Sequence, residues 1–281
     1  MEQIILNGKE LSKKIEEELK EKVRKLKEES GKNATLATII VGDNPASQTY
    51  VRMKGNACER IGINSIKIEL DYNTQTEELM DVIEKLNKDE NVDGILLQHP
   101  VPKHIDERLC FNSISPSKDV DGVTSAGFGA MSMGEEAYAS ATPLGIIKLL
   151  EHYNIELEGK KAIVIGRSAI LGKPIAMMLL NKNATVTIAH SKTKDLEKYV
   201  KEADIVVACV GKPKFVKKEW LKEGVVIVDA GYNAGNVGDV DLENATKVAS
   251  AYTPVPGGVG PMTIASLIYQ TVQSFEKRVK G

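Results

Sequence analysis

Tyr50, Lys54, Gln98, Asp119 and Asp121 are the residues whose types and spacing point most directly at chemistry. Between residues 46 and 61, Tyr50, Lys54, Ala57 and Ile61 recur at three- and four-residue intervals, so a helix there carries all four on one face. A lysine then sits in a stripe that otherwise faces inward. Burial disfavours the ammonium form and lowers its pKa, which yields an amine able to exchange protons near neutrality. A lysine that snorkels to solvent accounts for the same spacing. Gln98 closes the short strand Asp93-Gly-Ile-Leu-Leu-Gln98, and strand carboxyl ends are where open α/β sheets place ligand-contacting residues. It can orient Lys54 or a substrate. Asp119 and Asp121, in Lys118-Asp-Val-Asp-Gly122, have turn composition first. A carboxylate there can also accept paired hydrogen bonds from an amino-heterocycle.

A second group of residues suits a dinucleotide. Lys161-Ala-Ile-Val-Ile-Gly-Arg-Ser-Ala-Ile-Leu-Gly-Lys-Pro174 reads as strand, glycine turn and helix start, which sets a pyrophosphate against helix N–H groups. Ser168 occupies the usual second glycine position and the next glycine is Gly172, so the pattern departs from Gly-x-Gly-x-x-Gly and also fits an ordinary strand-to-helix turn. The following strand, Thr185 to Ala189, ends in His190-Ser-Lys-Thr193 without the carboxylate that would hold ribose hydroxyls. Arg167, Ser191 and Lys192 instead offer donors suited to a 2′-phosphate, which favours NADP; a solvated Lys192 and a packed His190 are the plainer readings.

The third feature is Thr253-Pro-Val-Pro-Gly-Gly-Val-Gly-Pro-Met-Thr263, three prolines and three glycines in a loop of defined path. Its density suggests a ligand wall rather than a linker, although a rigid structural turn has the same composition. Ile264, Leu267, Ile268, Thr271, Val272, Phe275 and Val279 form the stripe of a helix expected to begin near Met262 or Thr263.

The elements that must position these groups alternate. A long first helix, marked by Leu11, Ile15, Leu19, Val23 and Leu26, ends near Ser30-Gly31. Strand 35–41, helix 46–61, strand 65–70, helix 77–86 and strand 93–98 follow. Such alternation implies a parallel sheet covered by helices. From Pro100 to Gly134 the pattern breaks up, and the domain boundary is placed there, giving domains 1–122 and 123–281. Residues 142–153 are helix-like. A second series comprises strand 161–165, helix 172–182, strand 184–189, helix 194–202, strand 204–209 and strand 225–229. The expected fold class is therefore α/β with two α/β domains.

At 281 residues and 42% hydrophobic composition the chain can fill two cores. Lys and Arg total 37 against 39 Asp and Glu, without a polybasic arm, so nucleic acid is not an expected partner. No apolar run has membrane-spanning length, and the first residues lack the sections of a signal peptide, so a cytoplasmic protein is expected. Cys58, Cys110 and Cys209 are far apart, which indicates neither disulfides nor a zinc site.

Taken together, Tyr50-x-x-x-Lys54, Gln98-x-Pro-x-Pro102, Asp119-Val-Asp-Gly122, Gly166-Arg-Ser168, Asp229-Ala-Gly-Tyr-Asn233, Gly238-Asp-Val-Asp241 and Pro254-x-Pro-Gly-Gly-Val-Gly-Pro-Met-Thr263 resemble the bifunctional methylenetetrahydrofolate dehydrogenase/methenyltetrahydrofolate cyclohydrolase family. Order and spacing agree from the first helix to the last. The resemblance implies a folate-binding N-terminal domain, a Rossmann-like NADP-binding C-terminal domain and a cleft between them, with the last helix, 263–281, packing back on the first domain. It makes Lys54 the catalytic lysine, Tyr50 a folate-stacking residue, Gln98 the group that tunes the lysine and Asp121 the pterin anchor. Gly166, Arg167, Ser168, Ser191 and Lys192 would bind the cofactor, and Pro256, Gly257 and Gly258 would contact substrate. The implied partners are tetrahydrofolate one-carbon derivatives and a second copy of the chain, with no metal. His99, Ala141, Ala169 and Tyr232 depart from residues common in the family, leaving every residue with an assigned role in place. No formyltetrahydrofolate synthetase domain is expected to follow. A shikimate-type dehydrogenase and a non-catalytic NADP-binding protein are the competing readings; the Tyr50, Lys54, Gln98 and Asp121 set speaks against both.

Overall fold

The structure is a computed structural model that describes residues 3–281. Its elements run β1 (Ile4–Ile5), α1 (Gly8–Ser30), β2 (Thr35–Val41), α2 (Pro45–Ile61), β3 (Asn64–Leu70), α3 (Thr76–Lys88), β4 (Gly94–Leu97), α4 (Glu107–Asn112), α5 (Ser125–Ser132) and α6 (Ala141–His152). Then come β5 (Lys161–Ile165), α7 (Gly172–Asn181), β6 (Thr185–Ala189), α8 (Leu196–Glu202), β7 (Ile205–Ala208), a 3-10 turn at Lys218–Trp220, β8 (Val225–Asp229), α9 (Leu242–Ala245), β9 (Ala249–Tyr252) and α10 (Val259–Lys280).

Two compact units result. One contains Lys13–Ala141 with Ile264–Gly281; the other contains the residues up to Ser12 with Thr142–Thr263. The chain therefore changes unit inside α1, at the start of α6 and inside α10.

The first unit is built on a three-stranded parallel sheet in the order β3-β2-β4. Every residue of β2 and β4 is buried, as continuous apolar runs in a covered parallel sheet should be. Leu19, Val23 and Leu26 of α1, Ala57 and Ile61 of α2, Leu36 and Leu96 of the sheet, and Leu267, Val272 and Phe275 of α10 make one core. Asp93, at the entrance to β4, is held by Arg278 through Nε–Oδ1 at 2.6 Å and Nη2–Oδ2 at 3.1 Å, and accepts from the Thr35 N–H at 2.8 Å. The segment 122–141 stays with this unit rather than opening the next. Ala141 N–H donates to Asp121 O at 3.2 Å, Ser140 Oγ donates to Gly122 O at 2.7 Å, and Gln270 bonds the backbone of Val120 and Ala139. The sequence boundary at 122/123 and the structural division at 141/142 differ by this segment, whose buried ends are tied to Asp121, Gly122 and Gln270.

The second unit carries a six-stranded parallel sheet in the order β1-β9-β8-β7-β5-β6. The order reverses at β5, whose neighbours are β6 and β7. That reversal is the topological switch point at which open α/β sheets form a crevice beyond the strand carboxyl ends. β1 and β9 are additions to the elements read from sequence, pairing Ile4 with Ala251 and Ile5 with Tyr252.

One expectation needs correction: α10 begins at Val259, not near Met262 or Thr263. Pro261 lies in the first turn, where a missing N–H costs nothing because those groups lack intrahelical acceptors. The Pro/Gly loop is correspondingly shorter. Gly258 N–H donates to Pro254 O at 2.8 Å and Lys9 N–H to Gly257 O at 2.8 Å. A Cβ on Gly8 would stand 1.8 Å from Gly258 O, so only glycine allows this approach.

Candidate active site

Lys54 and Gln98 come together from α2 and the end of β4. Asn44 starts α2 by accepting from Ala46 and Ser47 N–H groups, Pro45 fixes its first turn, and Gly62 ends it at φ +81°. The inward stripe is Ser47, Val51, Lys54, Ala57, Cys58 and Ile61. Lys54 is thus carried into the interior, 7% exposed, instead of snorkelling. Its Nζ donates to Gln98 Oε1 at 3.0 Å. Gln98 is itself buried, and its Nε2 donates to the His99 carbonyl at 2.7 Å. The amide is therefore oriented from both ends.

Burial lowers the pKa of Lys54, and the nearby Asp121 carboxylate opposes that shift. Burial pushes Asp121 up to about 6; Lys54 and His99 pull it down and Asp119 adds to the rise. Each group therefore titrates toward the neutral range for a stated cause, which is the condition for proton exchange near pH 7. Asp119 has a different task. Buried at 1% exposure, it accepts from the Val123 and Thr124 N–H groups at 3.0 and 2.9 Å and so shapes the turn that carries Asp121. Tyr50 is half-buried one helical turn before Lys54. These four sequence-selected residues, Tyr50, Lys54, Gln98 and Asp121, all belong to the first unit.

The nucleotide candidates belong to the second unit, at the switch point. Gly166 follows β5 at φ +136°, and a Cβ there would lie 2.5 Å from both the oxygen and the sulfur of Cys209 at the end of β7. A Cβ on Gly172 would lie 2.5 Å from Gly166 O. Glycine at both places lets strand, turn and helix close up, which the spacing alone did not establish. Ser168 Oγ accepts from Gly172 N–H at 3.2 Å, so Ser168 caps the start of α7 in addition to any ligand contact. Arg167, Ser168, Ser191 and Lys192 are exposed beside the ends of β5 and β6. Cations and hydroxyls on two adjacent strand ends, together with a glycine turn that admits close backbone approach, fit a phosphorylated dinucleotide. Pro256, Gly257 and Gly258 lie in the loop after β9; Gly257 has φ +106° and open space where a Cβ would point.

Two buried carboxylates of this unit, Asp229 and Asp239, stand in motifs quoted from the sequence without a role of their own. Asp239 is fully buried and accepts from the N–H groups of Val210, Gly211 and Lys212 at 2.6, 2.8 and 2.9 Å and from Asn233 Nδ2 at 3.0 Å. It fixes the loop after β7, on the crevice side. Asp229 accepts from Gly231, Asp239 and Val240 N–H groups, and burial pushes its carboxyl up to about 6. The repeated Asp-x-Asp and Asp-Ala-Gly strings were the available signal. Among the described residues no cluster of three or more His, Cys, Asp or Glu could hold a metal.

Comparison with known proteins covers both units. Residues 6–121 match the model of the tetrahydrofolate dehydrogenase/cyclohydrolase catalytic domain, and residues 140–279 match that of the tetrahydrofolate dehydrogenase/cyclohydrolase NAD(P)-binding domain. The bifunctional protein FolD of Cellvibrio japonicus is 62% identical over 280 residues, with all of both chains covered. Among solved structures, the bifunctional FolD methylenetetrahydrofolate dehydrogenase/cyclohydrolase of Campylobacter jejuni is 49% identical with a TM-score of 0.97, covering 99% of this chain and 100% of that one. The methylenetetrahydrofolate dehydrogenase-cyclohydrolase of Trypanosoma brucei, complexed with NADP cofactor and an inhibitor, is 35% identical with a TM-score of 0.96 over the full length of both chains.

Proposed function

Because this chain belongs to the tetrahydrofolate dehydrogenase/cyclohydrolase family, we propose that it oxidises 5,10-methylenetetrahydrofolate with NADP and hydrolyses the resulting 5,10-methenyltetrahydrofolate to 10-formyltetrahydrofolate. It is a bifunctional enzyme of tetrahydrofolate one-carbon metabolism with an NAD(P)-binding domain. The observation that carries the residue assignment is the buried Lys54 Nζ, 3.0 Å from Gln98 Oε1 and within the field of Asp121.

Bound NADP supplies the hydride acceptor, and holding donor and acceptor in contact is the main requirement of the first reaction. Lys54 then manages the protons of the second. Water adds to the methenyl carbon and the lysine amine takes up one of its protons; the ammonium returns that proton to the ring nitrogen as the C–N bond opens, and the added hydroxyl releases its own proton to solvent on becoming the formyl oxygen. A lysine whose pKa is lowered by burial serves both stages, because a permanent cation would repel the methenyl cation formed in the first. Gln98 keeps the nitrogen in place through its accepting oxygen. Asp121 accepts hydrogen bonds from the amino-pterin ring, and Tyr50 offers a ring face for stacking. Arg167, Ser191 and Lys192 take the 2′-phosphate, Gly166 and Ser168 line the pyrophosphate turn, and Pro256, Gly257 and Gly258 contact substrate.

The same reading makes the enzyme a cytoplasmic homodimer. Among the described residues no helix is long and apolar enough to cross a membrane.

Purified protein given methylenetetrahydrofolate should form NADPH faster than NADH, measured by absorbance in parallel assays, and should consume methenyltetrahydrofolate without cofactor. Absence of both activities would defeat the reading. Turnover of shikimate in the same panel would replace it with the competing dehydrogenase.

A further inference from the structure

Behind the Lys54–Gln98 pair lies a carboxylate with no role so far. Glu107, in the first turn of α4, uses one oxygen twice: Oε1 accepts from His99 Nδ1 at 2.6 Å and from the Val101 N–H at 3.2 Å. The turn between Gln98 and Val101 is therefore gripped by a side chain on one side of Pro100 and by the main chain on the other. The His99 carbonyl in that turn accepts from Gln98 Nε2 at 2.7 Å, and Gln98 Oε1 in consequence faces Lys54 Nζ at 3.0 Å. Hydrogen bonds from α4 to the turn and from the turn to the lysine nitrogen are thus joined through the covalent frame of His99 itself.

The direction of the Gln98 amide matters because its two ends are chemically opposite. The ammonium form of lysine only donates, so an accepting oxygen is the partner that suits it, and the neutral amine can still donate to that oxygen while its lone pair stays free for a proton. Turned over, the amide would aim its own N–H groups at an ammonium in a low-dielectric interior, where an unpaired donor is most costly. The His99 carbonyl selects the useful orientation, and that carbonyl is as fixed as the turn that bears it. Glu107 is suited to fix it. Burial alone would raise its pKa, but the hydrogen bond and charge of His99, the Val101 N–H and Arg108 together hold the carboxyl below its usual range, so it is an acceptor across the neutral range. Arg108 is engaged elsewhere, donating from Nη1 to Val123 O at 2.6 Å. The charged and titratable groups facing these bonds are Lys54 from α2, Asp119 and Asp121 from the segment after β4, His99 in the turn itself, and Glu107 and Arg108 from α4.

We propose that Glu107 is a positioning residue for the Lys54–Gln98 pair, acting through the turn at residues 98–101 to keep the amide oxygen on the lysine. The inference rests on the reading of Lys54 as the residue that handles protons in the hydrolysis.

A double-mutant cycle on the purified full-length enzyme tests it, with methenyl hydrolysis followed across pH. Glu107→Ala should lower kcat about tenfold, the size of one lost hydrogen bond to a charged group. It should leave the KM for methenyltetrahydrofolate nearly unchanged and displace the pH–rate profile. Glu107→Gln keeps an accepting oxygen and should recover most of the rate. Added to Gln98→Ala, the Glu107→Ala change should cost nothing further, because groups acting as one unit are not additive. A purely structural role would give multiplying losses and an unmoved pH profile, and either result overturns the proposal, as does wild-type behaviour of Glu107→Ala. Should Glu107→Ala fail to fold, His99→Phe removes the Nδ1 donor while leaving the Val101 bond, and must lower kcat in the native background but not beside Gln98→Ala. Lys54→Met is the control: if it hydrolyses at the native rate, the underlying reading fails, a result separate from any outcome at Glu107.

Discussion

Both sheets bury charge just beyond the carboxyl ends of their strands, and they treat it in opposite ways. Beyond β7 and β8, the carboxylate of Asp239 is saturated by three backbone N–H groups and an asparagine amide, all within 3.0 Å. Beyond β4, Lys54 has the single oxygen of Gln98 and a carboxylate whose own pKa is pushed up to about 6. A buried charge with a full set of partners is a fixed strut, since any change of protonation would break several bonds at once. A buried charge with few partners is held near the point of losing its proton. On the reading proposed above, the first kind builds a binding loop and the second does chemistry.

The largest effect that would sharpen this contrast is expected at Lys54. Lys54→Met should cut methenyl hydrolysis by roughly a thousandfold, within the range of positioned proton transfer, with cofactor affinity unchanged. The same variant should be as stable as the native chain or more so, because an apolar isostere replaces a poorly partnered ion. A lysine with a lowered folded pKa binds its proton more weakly than in the unfolded chain. The stability gain of Lys54→Met should therefore be greatest at low pH and fade as pH rises through the folded pKa, measured by denaturant melts. A marked loss of stability would place Lys54 among the struts and break the comparison.

Asp239→Ala should do the reverse. Stranding its buried donors is expected to cost about 3 kcal/mol in a urea melt and to weaken cofactor binding, with Asp239→Asn losing less. A stable variant with intact cofactor affinity would deny it the role of a strut. Next in size, Arg167→Ala combined with Ser191→Ala should raise the KM for NADP by roughly ten- to a hundredfold and leave that for NAD nearly unchanged, as expected when charge-assisted bonds to a 2′-phosphate are lost. Equal losses would remove the phosphate from the argument. The smallest effect belongs to Asp121. Its raised pKa means that the carboxyl gains a proton as pH falls through about 6, so the folate KM should climb severalfold on the acid side. Asp121→Asn should flatten that pH dependence, and an inflection that survives the substitution would assign it to another group.

Much of this could be read from the chain. The alternation of apolar strands and amphipathic helices pointed to two parallel sheets, and the stripe of α2 offered a buried Lys54 beside a snorkelling one, a choice that only the packed helix decides. What stayed hidden depends on partners distant in sequence or on main-chain donors. Two-residue β1 has no periodicity and exists because Ile4 and Ile5 pair with Ala251 and Tyr252. The run Ser125–Ser132 carries two glycines and no apolar stripe, yet forms α5 with Thr124 accepting from Gly127 N–H at its start. Asp239 looks like a turn residue because its ligands are N–H groups that every residue other than proline has. Glu107 lies in the broken pattern after Pro100, where nothing in the sequence singles it out, and only the folded turn reveals His99 and Val101 on one of its oxygens.

The passage of the chain between units inside α1 and α10 governs how such a molecule can be divided. A fragment ending at Ala141 would carry Tyr50, Lys54, Gln98 and Asp121 yet lack Leu267, Val272 and Phe275, which fill its core, and Arg278, which neutralises buried Asp93. Neither activity can therefore be inherited or transplanted as a simple stretch of sequence. A cassette meant to carry the lysine site would have to take the final helix along with it, joined by a new linker or supplied as a separate peptide that restores the missing wall.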